Sequence, residues 1–219
     1  KFLLVGDELD EQNQGFNTRT LIWDVQDLDN PFLLGEHFSE VEAIDHNQYV
    51  VGNLLFQSNY RAGLRMLSLS EVDSGVLEEI GYFDVEPADD AALFSGTWSN
   101  YPFFESGIVV LTSIEGGLFI VRPRFMNVMA VNDAVCAGND LLVSLEVLEG
   151  LDPPLYLSIP DLPAGVELDG FPTELDGPGS FAFSISGLDA LIGPLELHIR
   201  IETALNLVEE PLVFTVDSE

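Results

Sequence analysis

Apolar residues along this chain come in short runs, FLLVG, TLIWDV, NLLFQS and LRMLSLS among them, each closed after five to seven residues by Gly, Asn, Asp, Glu or Gln. An amphipathic helix needs apolar positions three and four apart sustained over several turns, and that periodicity is nearly absent. The pattern therefore predicts an all-β protein, with strands over residues 2–6, 20–25, 32–38, 53–58, 64–70, 77–85, 108–113 and 118–122 in its first part.

Two of these segments repeat each other. When GNLLFQSNYRAGLRMLSLS is laid on GIVVLTSIEGGLFIVRPR, Gly52 falls on Gly107, Gly63 on Gly117 and Leu64 on Leu118. FLLVGD and TLIWDV fit the same frame of strand, polar turn and strand. Matched positions recur after 44 residues (Thr20 to Leu64) and 54 (Leu64 to Leu118), which suits the ~40–50 residue period of propeller blades. Residues 1–125 are thus expected to form about three blades of a β-propeller. Since a closed propeller typically takes about four to eight blades, upstream blades or another chain are expected to cover exposed blade faces, and the start at Lys1, inside a strand pattern, suggests a fragment or processed form. Seventeen residues separate Leu3 from Thr20, against ten from Leu54 to Leu64, so DELDEQNQ is read as an insertion in a blade hairpin, on one rim.

Past residue 125 the runs LLVSLEVLE, LYLSIPD, SFAFSISGL, LELHIRIET and PLVFTV alternate apolar and polar positions between turn signals such as DPP and DGPGS. Residues 126–219 are expected to form an Ig-like β-sandwich, in architecture only, because the Cys…Trp…Cys pattern of antibody domains is lacking.

Charge narrows the partners. The net charge is −31, from 38 acidic and 7 basic side chains, and the acid is spread evenly: 21 acidic residues lie in 1–125 and 17 in 126–219. This repels phosphate backbones and anionic lipid, so nucleic acid is excluded as a partner, and no apolar run is long enough for a membrane-spanning helix. The 15 Phe, 5 Tyr and 2 Trp argue for a packed core rather than a disordered acidic chain. With Cys136 as the single cysteine, neither an internal disulfide nor a Cys/His zinc pattern exists.

The strings GDELDE, TRTLIWDV, AIDHNQYVVGNLLFQSNYRAGLRMLSL and GTWSNYPFFESGIVVLTSIEGGLFIVRP resemble the C-terminal part of the LVIVD-repeat, choice-of-anchor B family. TLIWD, LRMLS and LFIVR take the place of the motif that names the repeat, with Ser68 and Arg122 where the motif has Asp. The resemblance covers residues 1 to about 124. NDAVCAGNDLLVSLEV and LPAG are similar to an Ig-like module of secreted bacterial proteins. Together they imply an exported bacterial β-propeller held at the cell surface, with no activity transferable residue by residue.

Three groups of residues are candidates for chemistry. In the acidic insertion, Asp7, Glu8, Asp10, Glu11 and Asn13 offer the oxygen ligands that Ca2+ wants, although their spacing is not that of the D-x-[DN]-x-[DN]-G loop; the competing reading is a solvated hairpin tip. Asp45 and His46 precede a blade strand and would face a central channel, with His37 as a possible third member, against the reading of a structural hydrogen-bonded pair; His198 is expected at the surface. Trp98 and Tyr101, with Phe103 and Phe104, would stack on a carbohydrate, against packing between sheets as core. No G-x-S-x-G, Walker or nucleophile–base spacing is visible. The expected function is a non-enzymatic exported surface protein acting in binding, adhesion or extracellular assembly, with a protein or glycan partner. The alternative is a metal-dependent propeller enzyme, hydrolase or lyase, using Asp45 and His46.

Overall fold

A computed structural model describes residues 1–204 and 207–218. The chain is all-β, with 50% of it in strands and 4% in helix, and it divides into two compact units, Lys1–Pro123 and Arg124–Glu219. No helix among the described residues is long and apolar enough to cross a membrane.

The first unit is three consecutive antiparallel meanders. β1 (Phe2–Gly6), β2 (Arg19–Asp24) and β3 (Phe32–Phe38) form the first sheet, with the short helix α1 (Asp10–Gln14) between β1 and β2. β4 (Asn47–Val51), β5 (Leu54–Ser58), β6 (Leu64–Ser68) and β7 (Glu78–Phe83) form the second, and β8 (Thr97–Tyr101), β9 (Val109–Ser113) and β10 (Gly117–Val121) the third. The hairpins β1–β2, β5–β6 and β9–β10 are the segments whose sequences match. Below that level the register repeats too. In β2, Thr20, Leu21 and Ile22 face His37, Glu36 and Gly35, and the ladder shifts between Ile22 and Trp23. In β6, Leu64, Arg65 and Met66 face Phe83, Tyr82 and Gly81, and the ladder shifts between Met66 and Leu67. In each, the extra residue, Leu34 or Ile80, directly precedes a glycine of the same strand, whose missing side chain eases the bend.

Apolar residues join the first two sheets: Ile22 packs with Leu55, Leu67, Leu69 and Leu77, with Leu4, Leu34 and Val72 at the margin. Polar residues join the sheets beside it. Gln57 donates to the Thr20 hydroxyl at 2.7 Å and to Gln48 at 2.8 Å, and Asn100 of β8 donates to the Ser58 hydroxyl at 2.7 Å. Hydrogen bonds between buried side chains of neighbouring sheets are directional, and so help to fix which strand faces which. Leu3 on β1 and Leu118 and Ile120 on β10 are open to solvent.

The second unit has two sheets. β11 (Met126–Ala130), β13 (Leu141–Val147), β15 (Glu167–Asp169) and β17 (Gly179–Ser186) make one, in the order β11-β13-β17-β15. β12 (Ala134–Cys136), β14 (Leu155–Ser158), β16 (Glu174–Leu175), β18 (Gly193–Glu202) and β19 (Leu207–Asp217) make the other, in the order β12-β19-β18-β14-β16, with β12 parallel to β19. The alternation expected from sequence is present. Leu141, Val143, Leu145 and Val147 are buried on β13, as are Leu197, Ile199 and Ile201 on β18 and Leu212, Phe214 and Val216 on β19, so each sheet has one apolar face. His198, on the other face of β18, pairs with Asp161 at 2.8 Å, and Cys136 is exposed.

Candidate metal centre and aromatic face

The insertion between β1 and β2 is not an open hairpin tip. After Gly6 the chain turns, with the Asp10 amide donating to the Asp7 carbonyl at 3.0 Å, and closes one helical turn, with the Asn13 amide donating to the Leu9 carbonyl at 3.0 Å. Gly15 ends it in the left-handed region, φ 71°, where glycine has no Cβ to clash. This turn lays Asp10 and Glu11 inward and Asn13 outward. Asp10 is 1% exposed, Glu11 4% and Asp45, from the segment before β4, 6%. One carboxylate oxygen from each of the three lies within 4.8 Å of the others.

Only one side of this cluster is neutralised. Arg19 at the start of β2 reaches Asp10 Oδ2 at 2.7 Å through Nε, spreads to Glu36 at 3.3 Å and Asp7 at 3.9 Å, and stacks 4.9 Å over the Phe16 ring. Asp10 Oδ1, both Glu11 carboxylate oxygens and Asp45 Oδ1 are buried and meet no donor at hydrogen-bonding geometry. Burial pushes the Glu11 carboxyl up to about 8, and the Asp45 and Asp10 charges add to the rise; burial likewise raises Asp45 to about 6, with the Asp10 charge adding. The nearby Glu11 and Asp45 amides oppose part of the rise without reaching hydrogen-bond geometry.

Asp45 and His46, adjacent in sequence, serve different neighbourhoods. His46 Nδ1 lies 2.7 Å from Glu8 Oε1, and the Tyr60 hydroxyl donates to the same oxygen at 2.8 Å. Burial, and then Glu8 as acceptor, raise the Tyr60 pKa. Tyr60 holds φ 31°, a backbone region costly for a side-chain-bearing residue; its carbonyl accepts from the Thr97 amide at 2.7 Å and the Gly63 amide at 3.1 Å. A cavity of about 260 Å³ is lined by Gly6, Glu8, Asp45, His46, Gln57 and Asn59 among others. Asn59 is fully buried there, and neither atom of its amide group has a partner.

Trp98 lies 4.5 Å from the His46 ring and 6.0 Å from Tyr60. Tyr101 meets Phe104 at 4.9 Å and Phe103 at 5.4 Å, and Phe103 meets Tyr49 at 5.7 Å. The competing reading of these aromatics as core does not hold, since Trp98 is 49% and Tyr101 50% exposed and Phe103 and Phe104 are exposed as well. A bulge explains Trp98. Thr97 pairs with Ser113 and Ser99 with the adjacent Thr112, so Trp98 is an extra residue without an opposite number, and such a residue is turned away from the ladder.

The five residues read from sequence as a calcium set are therefore split. Asp10 and Glu11 join Asp45; Asp7 and Asn13 stay exposed, and Glu8 turns to His46 and Tyr60. His37 does not join His46. It lines a separate cavity of about 810 Å³ with Arg65, Glu79, Tyr82 and Asp90, where Arg65 pairs with Glu79 at 3.1 Å and lies 4.7 Å over the Tyr82 ring. Asn59, Tyr60 and this second cavity went unread, because nothing local marks a residue that acts through strands far away in sequence. Searches against protein-family models, curated proteins and solved structures find no match to this chain.

Proposed function

We propose that the chain is the binding portion of an exported bacterial surface protein: about three β-propeller blades of the LVIVD type (1–125) followed by an Ig-like β-sandwich (126–219), acting without catalysis in adhesion or extracellular assembly. The meander order and the repeated bulge support the blade reading, and the two alternately buried sheets support the sandwich. Upstream blades or another chain would cover Leu3, Leu118 and Ile120.

The observation that carries the binding function is Trp98, half exposed on a bulge and set against His46, with the Glu8 carboxylate beyond it. Aromatic faces with a polar group at their edge suit sugar rings, whose C–H faces stack while their hydroxyls hydrogen-bond. We therefore favour a neutral or cationic glycan as the partner, since the −31 charge opposes anionic ones. The metal-dependent enzyme is the weaker reading. Catalytic metals keep an open coordination position, whereas the Asp10, Glu11 and Asp45 side chains are closed off from solvent.

The test is a glycan array followed by calorimetry on the best ligand. Binding that is lost in Trp98→Ala while the melting temperature holds supports the reading. A turnover activity, found in a hydrolase and lyase screen, that disappears in His46→Ala would replace it.

A further inference from the structure

We infer that Asp10, Glu11 and Asp45 form a closed calcium site that pins the insertion between β1 and β2 to the segment entering β4.

Three carboxyl groups in one buried cluster, with Arg19 on one side, cannot all carry their charge cheaply where water does not screen them. A cation among them offsets that cost. The oxygens lie within 4.8 Å of one another, a span open to two ligands on opposite sides of one ion at Ca–O distances of about 2.3–2.6 Å.

Asn59 is the independent sign of a ligand. It comes from the end of β5, not from the acidic insertion, yet it is fully buried, lines the cavity with Asp45, and leaves its Oδ1 and Nδ2 unpartnered. A buried amide without partners costs about 1–3 kcal/mol and is rare in native proteins unless a water or ion completes it. A carbonyl oxygen beside carboxylates is the donor mixture of calcium sites. Backbone geometry keeps the room free: at Gly6 a Cβ would lie 1.7 Å from Asp45 Oδ2.

The donor set selects the class of ion. All the cluster's ligands are oxygens and no Cys or His takes part, which favours hard cations over zinc or copper. Calcium, tolerant of irregular geometry, fits a set drawn from a helical turn and a loop better than magnesium, which demands a near-ideal octahedron. Because the cluster is closed, the ion acts on structure: it ties residues 7–15 to Asp45 and so holds Glu8 against His46 and Tyr60. This site stands whether or not the aromatic face binds a glycan.

The experiment uses the whole chain, stripped with EDTA, desalted and titrated with calcium chloride by calorimetry, with melting curves alongside. Expected are one calcium per chain, a melting temperature that climbs with calcium as ligand linkage requires, and a weaker response to magnesium. Glu11→Gln should weaken calcium roughly tenfold or more, and its melting temperature should respond to calcium less than the wild type's; Asp7→Asn, outside the cluster, should bind as the wild type does. Should Glu11→Gln fail to fold, hydrogen exchange on the wild type reads the same point, with calcium slowing the amides of residues 10–15 and 45. Calcium heats that persist unchanged in Glu11→Gln, a melt indifferent to millimolar calcium in protein shown metal-free by elemental analysis, or exchange unaltered at those amides would each overturn the site.

Discussion

Gly6 and Asp45 are fitted to one another: the carboxylate of Asp45 occupies the space where a side chain on Gly6 would begin, 1.7 Å from Oδ2 and 2.8 Å from Cγ. The strand β1 thus ends in the one residue that lets a buried carboxylate lie across it. Gly6→Ala should therefore push Asp45 off its position and cost about 1–3 kcal/mol, the range for overpacking a filled interior. Urea unfolding reads that cost, and calcium titration of the same variant should show weaker binding although no proposed ligand has been changed. An unchanged urea midpoint would mean that Asp45 moves aside freely.

Among the described residues, Arg19 is the only basic side chain paired with the buried carboxylates of the insertion, through Asp10 at 2.7 Å. Arg19→Met keeps an apolar stem over Phe16 and removes the charge. In EDTA the loss should be about 3 kcal/mol, as expected when one member of a buried pair is left alone. Arg19→Met with Asp10→Asn should recover most of it, because the orphaned charge is then gone as well. Urea midpoints of the two variants make the comparison.

His37 gives the first unit a dependence on pH. Burial holds its pKa below the usual 6.5, although the Glu79 charge pulls the other way. The unfolded chain therefore takes up the proton at a pH where the folded chain still refuses it. Stability contributed by the neutral imidazole is whole above 6.5 and declines as pH falls from there toward the folded-state value. Over the same range the raised Glu11 and Asp45 carboxyls pull the other way, so the readout is a difference: on going from pH 7.5 to 5.5 the unfolding midpoint of His37→Gln should gain more, or lose less, than that of the wild type, and an identical slope in the variant would show that His37 contributes nothing to it.

The paired bulges allow a comparison inside one molecule. Gly35 and Gly81 occupy equivalent places opposite Ile22 and Met66, but a Cβ on Gly35 would lie 2.3 Å from the Gly75 carbonyl oxygen, whereas on Gly81 it would meet only Met66 Cε at 3.4 Å. Backbone yields less than the end of a side chain. Gly35→Ala should cost about 2 kcal/mol or more, Gly81→Ala under about 1 kcal/mol, both read from thermal melts.

The repeat was legible in the sequence because strand pairs announce themselves locally: GNLLFQS and GIVVLTS share the order of glycine, apolar run and polar end that the hairpins then use. The second unit was legible for the same reason, since Leu141 to Val147 and Leu195 to Ile201 place every second residue inside. The strands β4 and β8 were missed, because NQYVV and TWSNY mix polar and aromatic residues and owe their extended form to the neighbours they pair with. α1 was missed because a single helical turn has no periodicity to detect. The cluster itself was only half legible. The insertion advertised its acid, but which carboxylates turn inward depends on Arg19, nine residues from Asp10, and on Asp45, 35 residues from Asp10. The competing core reading of Trp98 has the same origin, since one extra residue in a ladder decides whether an indole is core or surface, and composition is blind to it.

Asp45 and His46 share a peptide bond, yet one joins the buried carboxylate cluster and the other faces Glu8 and the indole of Trp98. Both residues line one cavity, and the cluster and the aromatic face thus meet at one link of the chain. An ion held by Asp45 would therefore sit one peptide bond from the imidazole that faces the indole, and a change in its occupancy would be looked for first in the His46 ring signals.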